Sequence, residues 1–177
     1  MRRVIAVLGP TGAGKSLQAH LLAEHLKMTL ISSGDLLRAS TDPDIKHRME
    51  AGDLVRSSDV EHLVEDAIRQ APKDKGIVLD GFPRRRTEQE WLNVILKQSG
   101  LNLSKVFLIE VPKEVSLDRL EERHRTDDEK EIIKHKWLEY IHTTSRVVEG
   151  YREAGILAKI DGTLTPEAVT AEIKKHL

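Results

Sequence analysis

The sequence predicts an α/β fold, a three-layer sandwich in which a five-stranded parallel sheet carries helices on both faces. Three observations carry this. Short apolar runs alternate with longer helical patterns along the whole chain. The runs are continuous in Val, Ile and Leu, as strands buried on both faces require, and strands separated by helices pair in parallel. The first run passes through a glycine-rich octapeptide directly into a helical pattern.

The elements follow in order. Val4-Ile5-Ala6-Val7-Leu8 anchors a first strand at 3–8, and Leu17, Leu21, Leu22 and Leu26 mark a helix at 15–27. A second strand is read at 28–32, followed by helical patterns at 35–39, 44–50 and 58–70. The third strand is 76–79, and the helix at 87–97 is closed by Gly100. Residues 105–111 form the fourth strand, with helices at 113–122 and 128–153. The fifth strand is 156–160, and Thr165-Pro166 supplies a cap and a first-turn proline for a last helix at 166–176. No repeat, low-complexity linker or second domain interrupts residues 1–177, which read as one domain.

Gly9-Pro10-Thr11-Gly12-Ala13-Gly14-Lys15-Ser16 spells G-x-x-x-x-G-K-S between a strand and a helix, the P-loop context. Glycines let the backbone turn its N–H groups toward one point, where the helix dipole also favours an anion. Lys15 can then reach the β- and γ-phosphates of a nucleoside triphosphate, and the Ser16 hydroxyl can meet Mg²⁺. Two more stretches follow strands: Ser33-Gly34-Asp35-Leu36-Leu37-Arg38 and Asp80-Gly81-Phe82-Pro83-Arg84. Ligands of open parallel sheets bind beyond the carboxyl ends of the strands, so all three stretches are expected at one crevice. Arg38 and Arg84 can fork onto a second phosphate. Asp35 and Asp80 are carboxylates for a phosphate-bound Mg²⁺, reached through its water.

Composition narrows the classes. A formal net charge of −1 provides no global field for nucleic acid or an anionic membrane. The absence of cysteine removes disulfides, thiolate catalysis and cysteine-held metals, and is compatible with a reducing cytoplasm. The eight histidines lack metal-ligand spacing. No apolar run reaches membrane-spanning length, and the one after Met1-Arg2-Arg3 is read as a buried strand rather than a leader. With aromatics at 3%, the core must be aliphatic.

Taken together, Gly9 to Lys15, Ser33 to Arg38, Gly52-Asp53-Leu54-Val55, Asp80-Gly81-Phe82-Pro83-Arg84, Arg119 with Arg123, Arg125-Thr126-Asp127-Asp128 and Asp161-Gly162 resemble the adenylate kinase family of nucleoside monophosphate kinases, in order and over nearly the whole chain. The resemblance implies a P-loop NTPase-type core, a nucleoside-monophosphate (NMP) arm at about 32–61, a very short lid at about 123–128, and the reaction MgATP + AMP ⇌ MgADP + ADP. It implies that Gly12, Ala13, Gly14, Lys15, Ser16 and Leu17 hold the ATP phosphates. Arg119 would stack on the ATP base, and Leu164 would offer it backbone groups. It assigns Ser33, Gly34, Arg38, Leu54, Val55, Gly81, Arg84 and Gln89 to AMP, with Gln89 reading the base. Lys15, Arg84, Arg123, Arg125 and Lys136 would serve the transferring phosphoryl group. Mg²⁺ would lie near Ser16, Asp35 and Asp80. A cis peptide is implied between Phe82 and Pro83. A cytoplasmic monomer acting on small nucleotides is expected.

The departures are specific. Ser16-Leu17 stands where the family has glycine and threonine. Only His124 separates Arg123 from Arg125, and Lys136 replaces an arginine, keeping the charge but not the fork. One extra residue separates Arg84 from Gln89. A UMP/CMP kinase and a catalytically weak nucleotide-binding regulator are the alternative readings.

Overall fold

The structure, a computed structural model, describes residues 2–53, 55–123 and 130–177, with the side chains of residues 122, 123, 130 and 131 outside that description. Five strands form one parallel sheet: β1 (Arg2–Leu8), β2 (Thr29–Ser32), β3 (Ile77–Asp80), β4 (Leu101–Glu110) and β5 (Leu157–Asp161), in the order β2-β3-β1-β4-β5.

The apolar runs explain the layers. Val4, Ile5, Ala6 and Val7 are fully buried because successive side chains serve opposite faces. Val4, Ala6 and Leu8 join Ile31, Leu79, Val64 and Leu92 in one core, under α4 (Ser57–Gln70) and α5 (Arg86–Gln98). Ile5 and Val7 join Ala19, Leu22, Phe107, Ile160 and Ile173 in the other, under α1 (Lys15–Leu26) and α9 (Pro166–Lys175). Each fully buried aliphatic side chain contributes about 1.5–3 kcal/mol, so an aliphatic core of this extent needs few aromatics.

Helix boundaries follow local chemistry. Ser32 Oγ accepts from the Asp35 amide and starts α2 (Ser33–Ala39). Asp42 Oδ1 accepts from the Asp44 amide at 2.8 Å ahead of Pro43, starting α3 (Pro43–Ala51). Thr165 caps α9 as expected. Buried residues recur four apart in α4 (Val60, Val64, Ile68) and in α5 (Glu88, Leu92, Leu96).

Two elements differ from the expectation. β4 begins at Leu101 rather than at 105, because the β1–β4 register shifts between Val4 and Ile5 and lets the strand pass through polar Ser104. Ser104 Oγ donates to the Val4 carbonyl at 3.2 Å, which satisfies the irregularity. The long helix read at 128–153 is α7 (Lys130–Glu139), a π-helical segment (Tyr140–Thr144) and α8 (Ser145–Glu153), following α6 (Lys113–Arg123) across residues outside the description. Thr143 Oγ1 donates to the Glu139 carbonyl and Ser145 Oγ to that of Ile141, both at 2.6 Å, and hydroxyls bonding back one turn widen a helix locally. The Phe82–Pro83 peptide is cis.

Candidate active site

Register assembles the site. Val7 pairs with Asp80 and Asp80 with Ser32, so the carboxyl ends of three adjacent strands end in one row. The glycine loop, Ser33 and the segment after Asp80 all leave from it, and they line a single cleft.

Gly9, Gly12 and Gly14 of the loop have positive φ. At Gly12 (φ +75) space is also limiting, since an added Cβ would stand 2.6 Å from the Ser116 carbonyl. Ser116, fully buried near the start of α6, donates from Oγ to the Thr11 carbonyl at 2.5 Å and so bolts the loop to that helix. No side chain caps α1, and its first turn holds no acid. Its leading amides therefore remain for an anion, where the dipole is most favourable.

Around Gly81 the charged groups converge. A methyl built on its Cα would lie 3.4 Å from Arg84 Nη2, 3.4 Å from Ser33 Oγ and 3.8 Å from Lys15 Cε. Lys15 Nζ donates to the Pro10 carbonyl at 2.9 Å. Arg84 Nε donates to the Gly81 carbonyl at 2.9 Å, and burial pushes its pKa below the ordinary value while Glu88 and Asp80 oppose that shift. Ser33 Oγ, in a residue 2% exposed, lies 3.1 Å from both the Asp80 and Gly81 carbonyls and fixes the loop.

Asp80 is 4% exposed; its Oδ2 accepts from Ser32 Oγ at 3.0 Å, while Oδ1 finds no partner among the described residues. A buried acceptor left open costs about 1–3 kcal/mol unless a cation or its water meets it, so the donor set fits Mg²⁺ at Asp80, with the exposed Ser16 lining the same cleft. Asp35 stands apart from Asp80. Its exposed carboxylate holds Arg38 Nη2 at 2.6 Å and stays off the cleft wall, whereas Arg38 lines it. Among the described residues no group of three or more His, Asp or Glu forms a protein-only metal cage.

Gly34, Val55 and Lys136 line the cleft, with Tyr140 and Thr144 of the π-helical segment beside Lys136. Gln89 does not line it. The Gln89 side-chain amide donates to the Val147 carbonyl at 3.3 Å and packs on Gly150, away from the cleft lining. Glu88 faces the cleft instead, 3% exposed, with Oε2 accepting from the Arg84 amide at 2.7 Å. Two signals mark Glu88 in the sequence: it stands four residues before Leu92 in the buried stripe of α5, and three after the capping residue Arg85.

Gly12, Ala13, Gly14, Leu17, Arg119 and Leu164 are not on this cleft wall. Leu17 and Leu164 are exposed and Arg119 is half-buried. Leu54, Arg125 and the Arg123 side chain lie outside the described residues. The residues after α3 meet α7: a Cβ on Gly52 would lie 2.8 Å from Ile132 Cγ2, and Asp53 Oδ1 is 3.4 Å from His135 Nδ1.

Comparison with known proteins agrees with this architecture. The family model described as adenylate kinase matches residues 7–156. Adenylate kinase 1 of Nostoc sp. is 37% identical, the alignment covering 100% of this chain and 99% of the relative. The adenylate kinase of Leptospira biflexa is 35% identical over the full length of both chains. That of Micrococcus luteus is 36% identical over 94% of this chain and 86% of its own.

Proposed function

The chain belongs to the adenylate kinase family, and from that premise we propose that it is an ATP:AMP phosphotransferase, moving the γ-phosphoryl group of MgATP reversibly to AMP to give two ADP. The observation that carries this reading is the convergence of Lys15, Ser33 and Arg84 around Gly81, beside a glycine loop whose helix amides are uncapped. One cation set serves the triphosphate and the other a second phosphate, which is what transfer between two nucleotides needs.

In this reading the loop from Gly9 to Ser16, with Leu17 following, cradles the ATP phosphates, and Lys15 exchanges the Pro10 carbonyl for a phosphate oxygen. Arg84 and Arg38 hold the AMP phosphate as forked donors, with Ser33, Gly34, Leu54, Val55 and Gly81 shaping its site. Arg119 and Leu164 serve the ATP base. Arg123, Arg125 and Lys136 bring positive charge to the phosphoryl group in flight. No side chain acts as a covalent nucleophile: catalysis is positioning and electrostatic stabilisation. The Ser16 hydroxyl and, through water, Asp80 would hold the Mg²⁺ that accompanies ATP, which would supply neutralisation of the charge developing on the phosphates. The NMP arm at about 32–61 and the short lid at about 123–128 close over the substrates and keep water out. Among the described residues no helix is long and apolar enough to cross a membrane, and we propose a cytoplasmic monomer.

One coupled assay with AMP, CMP, UMP, dTMP and GMP as acceptors tests the reading. AMP is expected to give the highest kcat/KM. Preference for a pyrimidine nucleotide, or no turnover with any acceptor, would overturn it.

A further inference from the structure

The phosphate chemistry leaves one buried charge on the cleft wall unused, that of Glu88. Its carboxylate is fully engaged, by two backbone amides, by Ser57 and by the neighbouring Arg85 guanidinium. Oε2 accepts from the amides of Arg84 at 2.7 Å and Arg85 at 3.2 Å. Oε1 accepts from Ser57 Oγ at 3.0 Å, the first residue of α4. Arg85 reaches the same segment from the other side: Nη1 donates to the Val55 carbonyl at 2.7 Å and to Ser57 Oγ at 3.3 Å, and it stands 3.8 Å from Glu88 Oε1.

Two charged side chains thus tie residues 55–57, which join α3 to α4, to the very peptide that projects Arg84. Bonds between a carboxylate and main-chain N–H groups are among the stronger hydrogen bonds, and a buried carboxylate lacking them is costly, so this knot holds one arrangement. An ordinary helix cap would need only the two amides, whereas here the second oxygen and the neighbouring guanidinium both serve residues about thirty positions upstream.

We propose that Glu88 and Arg85 are positioning residues for the acceptor: they lock the Arg84 peptide and transmit to it the position of the connection at 55–57, so that seating AMP against Val55 also aims Arg84. The inference rests on the AMP reading above. Neither side chain needs to touch AMP.

Ser57→Ala removes one contact of the knot at a position where truncation leaves the helix intact, and Glu88→Gln keeps the shape while replacing one acceptor oxygen by a donor. Each is expected to raise KM for AMP about tenfold, the loss of one hydrogen bond to a charged group, with KM for ATP unchanged within about twofold. The double variant should be no worse than the poorer single, because both break one unit. Amide exchange of the ligand-free protein supplies a readout independent of turnover: Ser57→Ala should speed exchange at residues 55–60 and at Arg84 and Arg85 together, leaving β1 and β4 as they were. Equal rises in both KM values, fully additive effects, or faster exchange confined to α4 would overturn the proposal and leave Glu88 as a helix cap. Wild-type protein inactive toward AMP would instead sink the AMP reading, and the exchange result would still decide the knot.

Discussion

Lys15 sits in neither apolar core, and its ammonium is spent on a loop carbonyl. Lys15→Met is therefore expected to abolish phosphoryl transfer while shifting stability by no more than about 0.5 kcal/mol, checked by the coupled assay and a thermal melt side by side. The two acceptor arginines should separate. Arg84→Ala removes a forked donor bonded to the Gly81 carbonyl, and should cost about 3–5 kcal/mol in kcat/KM. Arg38→Ala should raise KM for AMP and leave ATP binding intact, since Arg38 reaches the cleft from the second strand's helix; unchanged AMP affinity would move the acceptor site elsewhere. Tyr140 adds a pH signature. Burial first, and Glu110 second, push its hydroxyl up to about 12. The folded pKa is raised, so the stability this confers is complete below the unfolded value of about 10 and is lost as pH climbs through about 12. Absorbance titration of the native protein should show this tyrosine ionising late, and Tyr140→Phe should flatten the alkaline loss of stability. The motifs placed Lys15, Arg38 and Arg84 at one crevice, and all three line the cleft; Tyr140 carried no such signal. Glu88 was overlooked despite its place in the stripe with Leu92 and Leu96, because a shift of one residue turns a side chain about 100° around a helix, and spacing counted from Arg84 does not reveal where α5 begins its turn. The pairing of Asp35 with Arg38 three residues on was not read from the motif either.

At the scale of elements, the glycine loop and α6 are one mechanical unit through Ser116. Gly12→Ala would drive a Cβ to 2.6 Å from the Ser116 carbonyl at a φ of +75, both unfavourable for an L side chain. We expect ATP affinity to fall at least about tenfold with AMP affinity little changed, measurable by calorimetry with each nucleotide alone. Lys136 lies on the cleft wall one turn before the π-helical segment, and Lys136→Arg should raise kcat modestly by restoring a fork toward the phosphates. A lower or unchanged kcat would mean the side chain serves another contact. Neither the π-helical segment nor the early start of β4 could be read from periodicity. Both depend on hydroxyls, those of Thr143, Ser145 and Ser104, that look like any surface polar residue until a carbonyl stands opposite them.

For the whole molecule, the sheet was the most legible feature, because five aliphatic runs with both faces covered admit few other arrangements. The approach of residues distant in sequence, such as Gly52 and Ile132, was the least legible. The closing segment between Arg123 and Arg125 is a single residue. The lid proposed at about 123–128, being so short, would make few contacts that differ between open and closed states, so substrate would bias that equilibrium only weakly. We expect measurable ATP hydrolysis when AMP is absent, exceeding that of a long-lid relative assayed in parallel. Undetectable phosphate release would show that the arm and α7 seal the cleft by themselves.

The central place of β1 reaches beyond the finished enzyme to its synthesis. β1 is made first, yet one neighbour, β3, ends at Asp80 and the other, β4, at Glu110. Until that second strand leaves the ribosome, β1 has an open edge, the configuration most prone to pairing with a stranger. Nascent chains of increasing length, probed by brief proteolysis, should stay cleavable near Val4–Leu8 until residues beyond 110 have emerged, and should recruit chaperone most strongly just before then. Early protection would mean that β2 and β3 shelter β1 without β4.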